Sequence, residues 1–248
     1  MLSLNDLRLD LIPPATRSVI AKLAQETALS DFCLVGGTAL ALQAGHRRSL
    51  DVDLACFADT LDKNGLFHTM RDLGAELITP QSSISAARIN GFDLLTRVQD
   101  FVLDGVKVQC FADQTGQRYM SGIRPVAGWA FGIMDAESLF AMKGALLLKR
   151  AKSRDYFDLM WFCQHGKTLA DIVAAARAVN DAPDTPTLVE HKLLGLIPLD
   201  PDDEGLDPVD ANVSVADIYR FFEAQIQARE VEEARRMLAQ QGNDSGRP

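Results

Sequence analysis

Asp51 and Asp53 stand two apart in the apolar run "SLDVDLACF". Positions i and i+2 of an extended chain share a side, so both carboxylates face away from Leu50, Val52 and Leu54. Two like charges that close resist ionising together unless a cation lies between them. Hard divalent ions suit the gap, because Mg²⁺ takes one or two carboxylates and leaves its other positions to water and substrate phosphates. An exposed strand with acids on its outer face carries the same pattern. Just upstream, Gly36-Gly37-Thr38 ends the apolar run "FCLV" and opens a helix. Such a junction presents backbone N–H groups at the positive end of a helix dipole, where anions bind. Glycines that merely permit tight packing would look alike.

A second constellation lies about a hundred residues on: Lys143, Arg150, and Arg154-Asp155-x-x-Asp158. A spacing of seven places Lys143 and Arg150 on one helical face, and a spacing of three does the same for Asp155 and Asp158. Arg154 is expected to pair with Asp158 at i,i+4. Ammonium and guanidinium groups both suit phosphate, while a salt-bridged helix surface is the plainer reading.

These residues need strands and helices to carry them. A helix opened by proline is expected over 13–29, with Val19, Ile20, Leu23 and Ala24 as its apolar stripe. "FCLVGG" reads as a buried strand, "TALALQAG" as a short helix stopped by Gly45, and "SLDVDLACF" as a strand. Residues 61–73 suit a helix, and 75–79, 93–103 and 106–111 suit strands. Asp104-Gly105 joins the last two strands as a hairpin turn. From 135 the period becomes helical: 135–151, 153–166 and 168–180, with Thr168 as N-cap of the last. A Pro- and Asp-rich loop follows over 181–212, broken by a short helix near 186–195, and a long closing helix opens with Ser214-x-x-Asp217. The expected fold class is α+β: a mixed sheet with covering helices over 1–125, a helical domain over 126–241 and a flexible tail over 242–248.

The run Gly36-Gly37-Thr38, His46-Arg47-x-Ser49-x-Asp51-x-Asp53 resembles the first motif of the AbiEii/AbiGii toxin nucleotidyltransferases, members of the polymerase-β-like superfamily. Lys143, Arg150 and Arg154-Asp155-x-x-Asp158-Leu159 resemble that family's helical motif. The resemblance implies a polymerase-β-like domain that transfers NMP from an NTP to an acceptor hydroxyl. It implies Mg²⁺ (or Mn²⁺) on Asp51 and Asp53. Gly36, Gly37 and Thr38 would hold NTP phosphates, with Arg47 and Ser49 supporting the loop or touching phosphate. Lys143 and Arg150 would contact the triphosphate, and Asp158 would complete the catalytic set. RNA, tRNA in particular, is the implied acceptor, and a cognate antitoxin the implied partner. Enzymes of this fold commonly carry a third carboxylate on a later strand, but the aligned position in "VKVQCFAD" holds Gln109. An amide cannot take a proton as a carboxylate does, so either the alignment slips, or Asp113 or Asp158 substitutes, or the activity is reduced or altered. A small-molecule or protein nucleotidyltransferase, and a catalytically impaired nucleotide-binding module, stay open as alternatives.

The net charge of −9 speaks against broad binding to nucleic acid, which relies on counterion displacement. Basic residues nevertheless cluster at 46–48 and 143–154, while 200–217 is strongly acidic. The absence of any long apolar run excludes a membrane-spanning helix and, with an acidic N-terminus unlike a signal peptide, leads to a cytoplasmic expectation. Four widely spaced cysteines read as free buried thiols.

Overall fold

A computed structural model describes residues 1–207 and 212–244, with side chains described up to residue 238. The chain divides into two compact units, residues 1–139 and 140–248.

The first unit is built on a seven-stranded mixed sheet in the order β3-β4-β5-β2-β1-β7-β6. Its strands are β1 (Phe32–Val35), β2 (Val52–Cys56), β3 (Glu76–Leu77), β4 (Val98–Leu103), β5 (Val106–Ala112), β6 (Ile123–Pro125) and β7 (Gly132–Met134). Central β1 is buried along its whole length. It runs antiparallel to β2 and parallel to β7, and β2 runs parallel to β5. Asp104 and Gly105 both take positive φ (49° and 78°), the two-residue turn whose twist matches the antiparallel β4–β5 pair. Helix α1 (Pro14–Leu23) buries Val19, Ile20 and Leu23 and packs on β5. It ends six residues before the expected 29, and a separate 3₁₀ turn covers Thr27–Leu29. Helix α2 (Gly36–Ala44) buries Gly37 through Leu42 against β1 and β2, as a helix apolar on nearly every side must. Gly45 closes it with φ 65°. Helices α3 (Lys63–Asp72) and α4 (Gln81–Ile89) complete this unit.

The strand expected over 49–57 begins only at Val52, and the one expected over 93–103 only at Val98, after a 3₁₀ turn at Leu94–Thr96. The 75–79 strand shrinks to two residues. Sequence periodicity did not reveal α4, β6 or β7. Because β7 pairs with β1, residues beyond 125 belong to the sheet.

Helix α5 (Ala136–Leu146) leads into the second unit, which continues with α6 (Ser153–Gln164), α7 (Leu169–Arg177), α8 (Thr185–Leu193) and α9 (Val215–Asp244). Thr168 and Asp171 exchange the two bonds of a capping box on α7, and Ser214 with Asp217 does so on α9. Helix α9 packs on α6, α7 and α8 through buried Ile218, Phe222 and Ile226. Of the tail expected over 242–248, residues 242–244 belong to α9 and 245–248 lie outside the described residues. All four cysteines are free, and burial, with Asp135 second, pushes the Cys33 thiol up to about 12. No helix among the described residues is long and apolar enough to cross a membrane.

Candidate active site

The antiparallel register of β1 and β2 sets Val35 opposite Asp53, so the chain leaves β1 beside that carboxylate. The next residue, Gly36, turns with φ 69°, and a Cβ there would fall 2.2 Å from Asp53 Oδ2. An L side chain there would be strained in conformation and would press on the carboxylate. A Cβ on Gly37 would fall 2.6 Å from Arg47 Nη2 and 3.1 Å from Ser49 Oγ. The two glycines therefore make room for different things: Gly36 for the Asp53 carboxylate, Gly37 for the loop that precedes β2. Thr38 is fully buried, and its hydroxyl is hydrogen-bonded to Ser49 Oγ (2.8 Å) and to the Asp51 carbonyl. Arg47 and Ser49 are buried too, and Arg47 Nη1 donates to the Arg48 carbonyl at 3.0 Å. Asp51 thus stands one residue ahead of β2 with its backbone pinned from α2.

The Gln109 position has a definite surrounding. Gln109 is the parallel register partner of Asp53, and Asp100 on β4 is the antiparallel partner of Gln109. Register partners share a sheet face, which makes Asp53, Gln109 and Asp100 a row across three strands. With neighbouring strands ~4.8 Å apart, the two aspartate backbones are roughly 10 Å apart. Gln109 Nε2 donates to Asp100 Oδ1 at 2.7 Å, and the Asp100 N–H donates to Thr79 Oγ1 at 2.8 Å. Asp113 lies elsewhere. Its N–H bonds the Cys56 carbonyl, at the opposite end of β2 from Asp53, and its carboxylate caps Thr115. The Asp104-Gly105 turn fixes this pairing, so Asp100 is the carboxylate beside Gln109, a residue the sequence did not single out.

Two carboxylates at 51 and 53, with a side-chain-free turn against one of them, fit a divalent ion that keeps water and phosphate ligands. Among the described residues no three His, Cys, Asp or Glu side chains gather into a complete protein cage.

Lys143, Arg150, Asp155 and Asp158 are brought together in the second unit. Lys143 Nζ lies 2.6 Å from Asp155 Oδ1 and 2.7 Å from Asp158 Oδ2, with all three side chains at most 6% exposed. Arg150 grips the same Asp155 with two bonds, Nε at 2.7 Å and Nη2 at 3.1 Å, and keeps 44% of its side chain exposed. Burial pushes the Asp155 carboxyl up, but the Lys143 and Arg150 charges outweigh it and hold the group below the ordinary range. Two expectations are corrected. Helix α5 ends at Leu146, so Lys143 and Arg150 do not share a helix; the chain folds back and Lys192 Nζ secures the Arg150 carbonyl at 3.0 Å. Arg154 pairs not with Asp158 but with Glu204 at 2.7 Å, because Asp158 is turned inward to Lys143.

Comparison with known proteins adds the following. The profile of a family described as nucleotidyl transferase AbiEii toxin, type IV toxin–antitoxin system, matches residues 18–245. An uncharacterised protein of Aquifex aeolicus (strain VF5) is 28% identical over 169 residues, or 63% of this chain and 69% of that one. Two solved Helicobacter pylori structures are also similar. One, a proposed nucleotidyltransferase, has a TM-score of 0.47 at 16% identity, covering 89% of this chain and 97% of its own. The other, JHP933, has a TM-score of 0.46 at 15% identity, with coverages of 92% and 97%.

Proposed function

This chain belongs to the AbiEii nucleotidyltransferase toxin family, and from that premise we propose that it transfers NMP from an NTP to an acceptor hydroxyl of RNA, tRNA foremost. In this reading it is the toxin of a toxin–antitoxin pair, working in the cytoplasm, with a cognate antitoxin as partner. The observation that carries the reading is the Asp53 carboxylate seated against Gly36, with Asp51 fixed beside it by Thr38.

Asp51 and Asp53 would hold Mg²⁺ or Mn²⁺. A divalent ion there supplies charge neutralisation for the α-phosphate and the departing pyrophosphate. Backbone N–H groups of Gly37 and Thr38, at the start of α2, face the triphosphate with the positive end of the helix. The acceptor oxygen attacks the α-phosphorus, a new P–O bond forms, and the α–β P–O bond breaks to release pyrophosphate. Asp100, held by Gln109, takes the acceptor's proton. In the second unit, Lys143 and Asp158 keep Asp155, and through it the partly exposed Arg150 guanidinium, in place.

The test is incubation with Mg²⁺, each α-labelled NTP in turn and total RNA. Label entering RNA supports the reading. Label entering protein or a small molecule replaces the acceptor, and nucleotide binding without turnover removes the reaction.

A further inference from the structure

The basic loop between α5 and α6 is covered by the acidic segment that follows α8. Asp200 exchanges bonds with Ala151, its N–H donating to the Ala151 carbonyl at 2.9 Å and its Oδ2 accepting the Ala151 N–H at 3.0 Å. Asp203 Oδ1 accepts from Ser153 N (3.0 Å) and Ser153 Oγ (3.1 Å), at the first turn of α6. These inward carboxylates fix the segment through backbone groups. The outward ones do something else. Asp202 reaches Lys152 at 2.6 Å and Glu204 reaches Arg154 Nη2 at 2.7 Å. Both acids are mostly solvated, at 84% and 64% side-chain exposure, whereas Lys152 and Arg154 expose only 20% and 18%. The arrangement sets two largely covered cations and a helix N-terminus beneath solvated carboxylates, on a segment that makes a turn at 200–203, where the Asp203 N–H donates to the Asp200 carbonyl at 2.9 Å.

We propose that Lys152 and Arg154 form a docking face for the RNA backbone, and that residues 200–205 are an internal stand-in whose Asp202 and Glu204 carboxylates RNA phosphates displace. This rests on RNA being the acceptor. With the acid of each pair largely solvated, the two pairs hold weakly, on the order of 0.2–1 kcal/mol each. Arg154 Nε donates to the Gly205 carbonyl at 3.2 Å, so a phosphate would meet its two Nη groups, and two charge-assisted bonds there outcompete the single one to Glu204. Displacement needs only the two outer side chains to swing away, since the Asp200 and Asp203 anchors stay in place. The strap would therefore discriminate against weak anions and admit a backbone that satisfies both cations at once.

The test measures binding of fluorescein-labelled tRNA by anisotropy, in low salt and without NTP, so that it reads independently of any transfer. Asp202→Asn/Glu204→Gln is expected to bind about five-fold more tightly than the parent chain, from two released pairs of ordinary surface strength. Adding Lys152→Gln and Arg154→Gln should erase the gain. Asp10→Asn/Asp72→Asn, the same charge change at exposed sites elsewhere, should leave affinity within two-fold of the parent. The proposal is overturned by an unchanged affinity in the strap variant, by a gain that survives loss of the two cations, by an equal gain in the distant control, or by no RNA binding at all.

Discussion

Lys143 holds two buried carboxylates, and that commitment shapes every experiment on it. Removing its ammonium takes the lysine charge away from buried Asp158 and leaves Asp155 to Arg150. Lys143→Ala should therefore lose about 3–5 kcal/mol of stability, as broken buried pairs do. Urea denaturation checks this, and a wild-type midpoint would contradict it. Loss of activity in that variant speaks for nucleotide contact only once the folded fraction is known. Asp155 makes a second prediction. Its folded-state pKa lies below its unfolded value of about 3.9, so its contribution is complete above that pH and is lost as pH falls through the folded-state value. Melting curves should show no slope from this group between pH 7 and 5 and a decline below about pH 4. Asp155→Asn should flatten that acid limb; an unaltered limb would remove the group from the balance. The pairing of Lys143 with Asp155 and Asp158 was half legible, since a shared face for the two acids follows from their spacing. Arg154's partner was not, because Glu204 lies fifty residues away and no local period points to it.

At the level of elements, the β1–Gly36–α2 turn decides whether Asp53 has room. Gly36→Ala forces a Cβ into the Asp53 carboxylate and imposes a left-handed φ on an L residue. The conformation alone costs on the order of 1–3 kcal/mol. Transfer should fall to background while circular dichroism still reports a folded chain; a fully active Gly36→Ala would show that Asp53 is not held where the register puts it. Sequence reading found β1, α2 and the β4–β5 hairpin, whose signals are local: an apolar run, a glycine stop, an Asp-Gly turn. It extended β2 three residues too far, because the alternation of Leu50 and Asp51 continues outside the ladder while Thr38 draws the backbone away. It missed β6 and β7, which are three residues each and owe their place to pairing with one another and with β1. Gln109 stands on β5, and the Asp104-Gly105 turn fixes Leu103 opposite Val106 and so Asp100 opposite Gln109. Asp100 becomes visible only when the register is followed across one more strand.

For the whole molecule, a net charge of −9 sets the scale of any nucleic-acid contact. The basic 143–154 segment is not a bare patch, since Lys143, Arg150, Lys152 and Arg154 each meet a carboxylate. That pattern fits an acceptor gripped at few phosphates better than a long duplex. The chain belongs to a nucleotidyltransferase family, and its first unit carries Asp51 and Asp53, the two acids proposed to hold the metal. The most direct test compares the parent chain with Asp51→Asn and Asp53→Asn for incorporation of α-labelled NTP into RNA with Mg²⁺, each variant checked by thermal melting. Incorporation is expected to disappear in both while the melting temperature stays close to the parent's. Full incorporation by the double variant Asp51→Asn/Asp53→Asn would contradict that assignment.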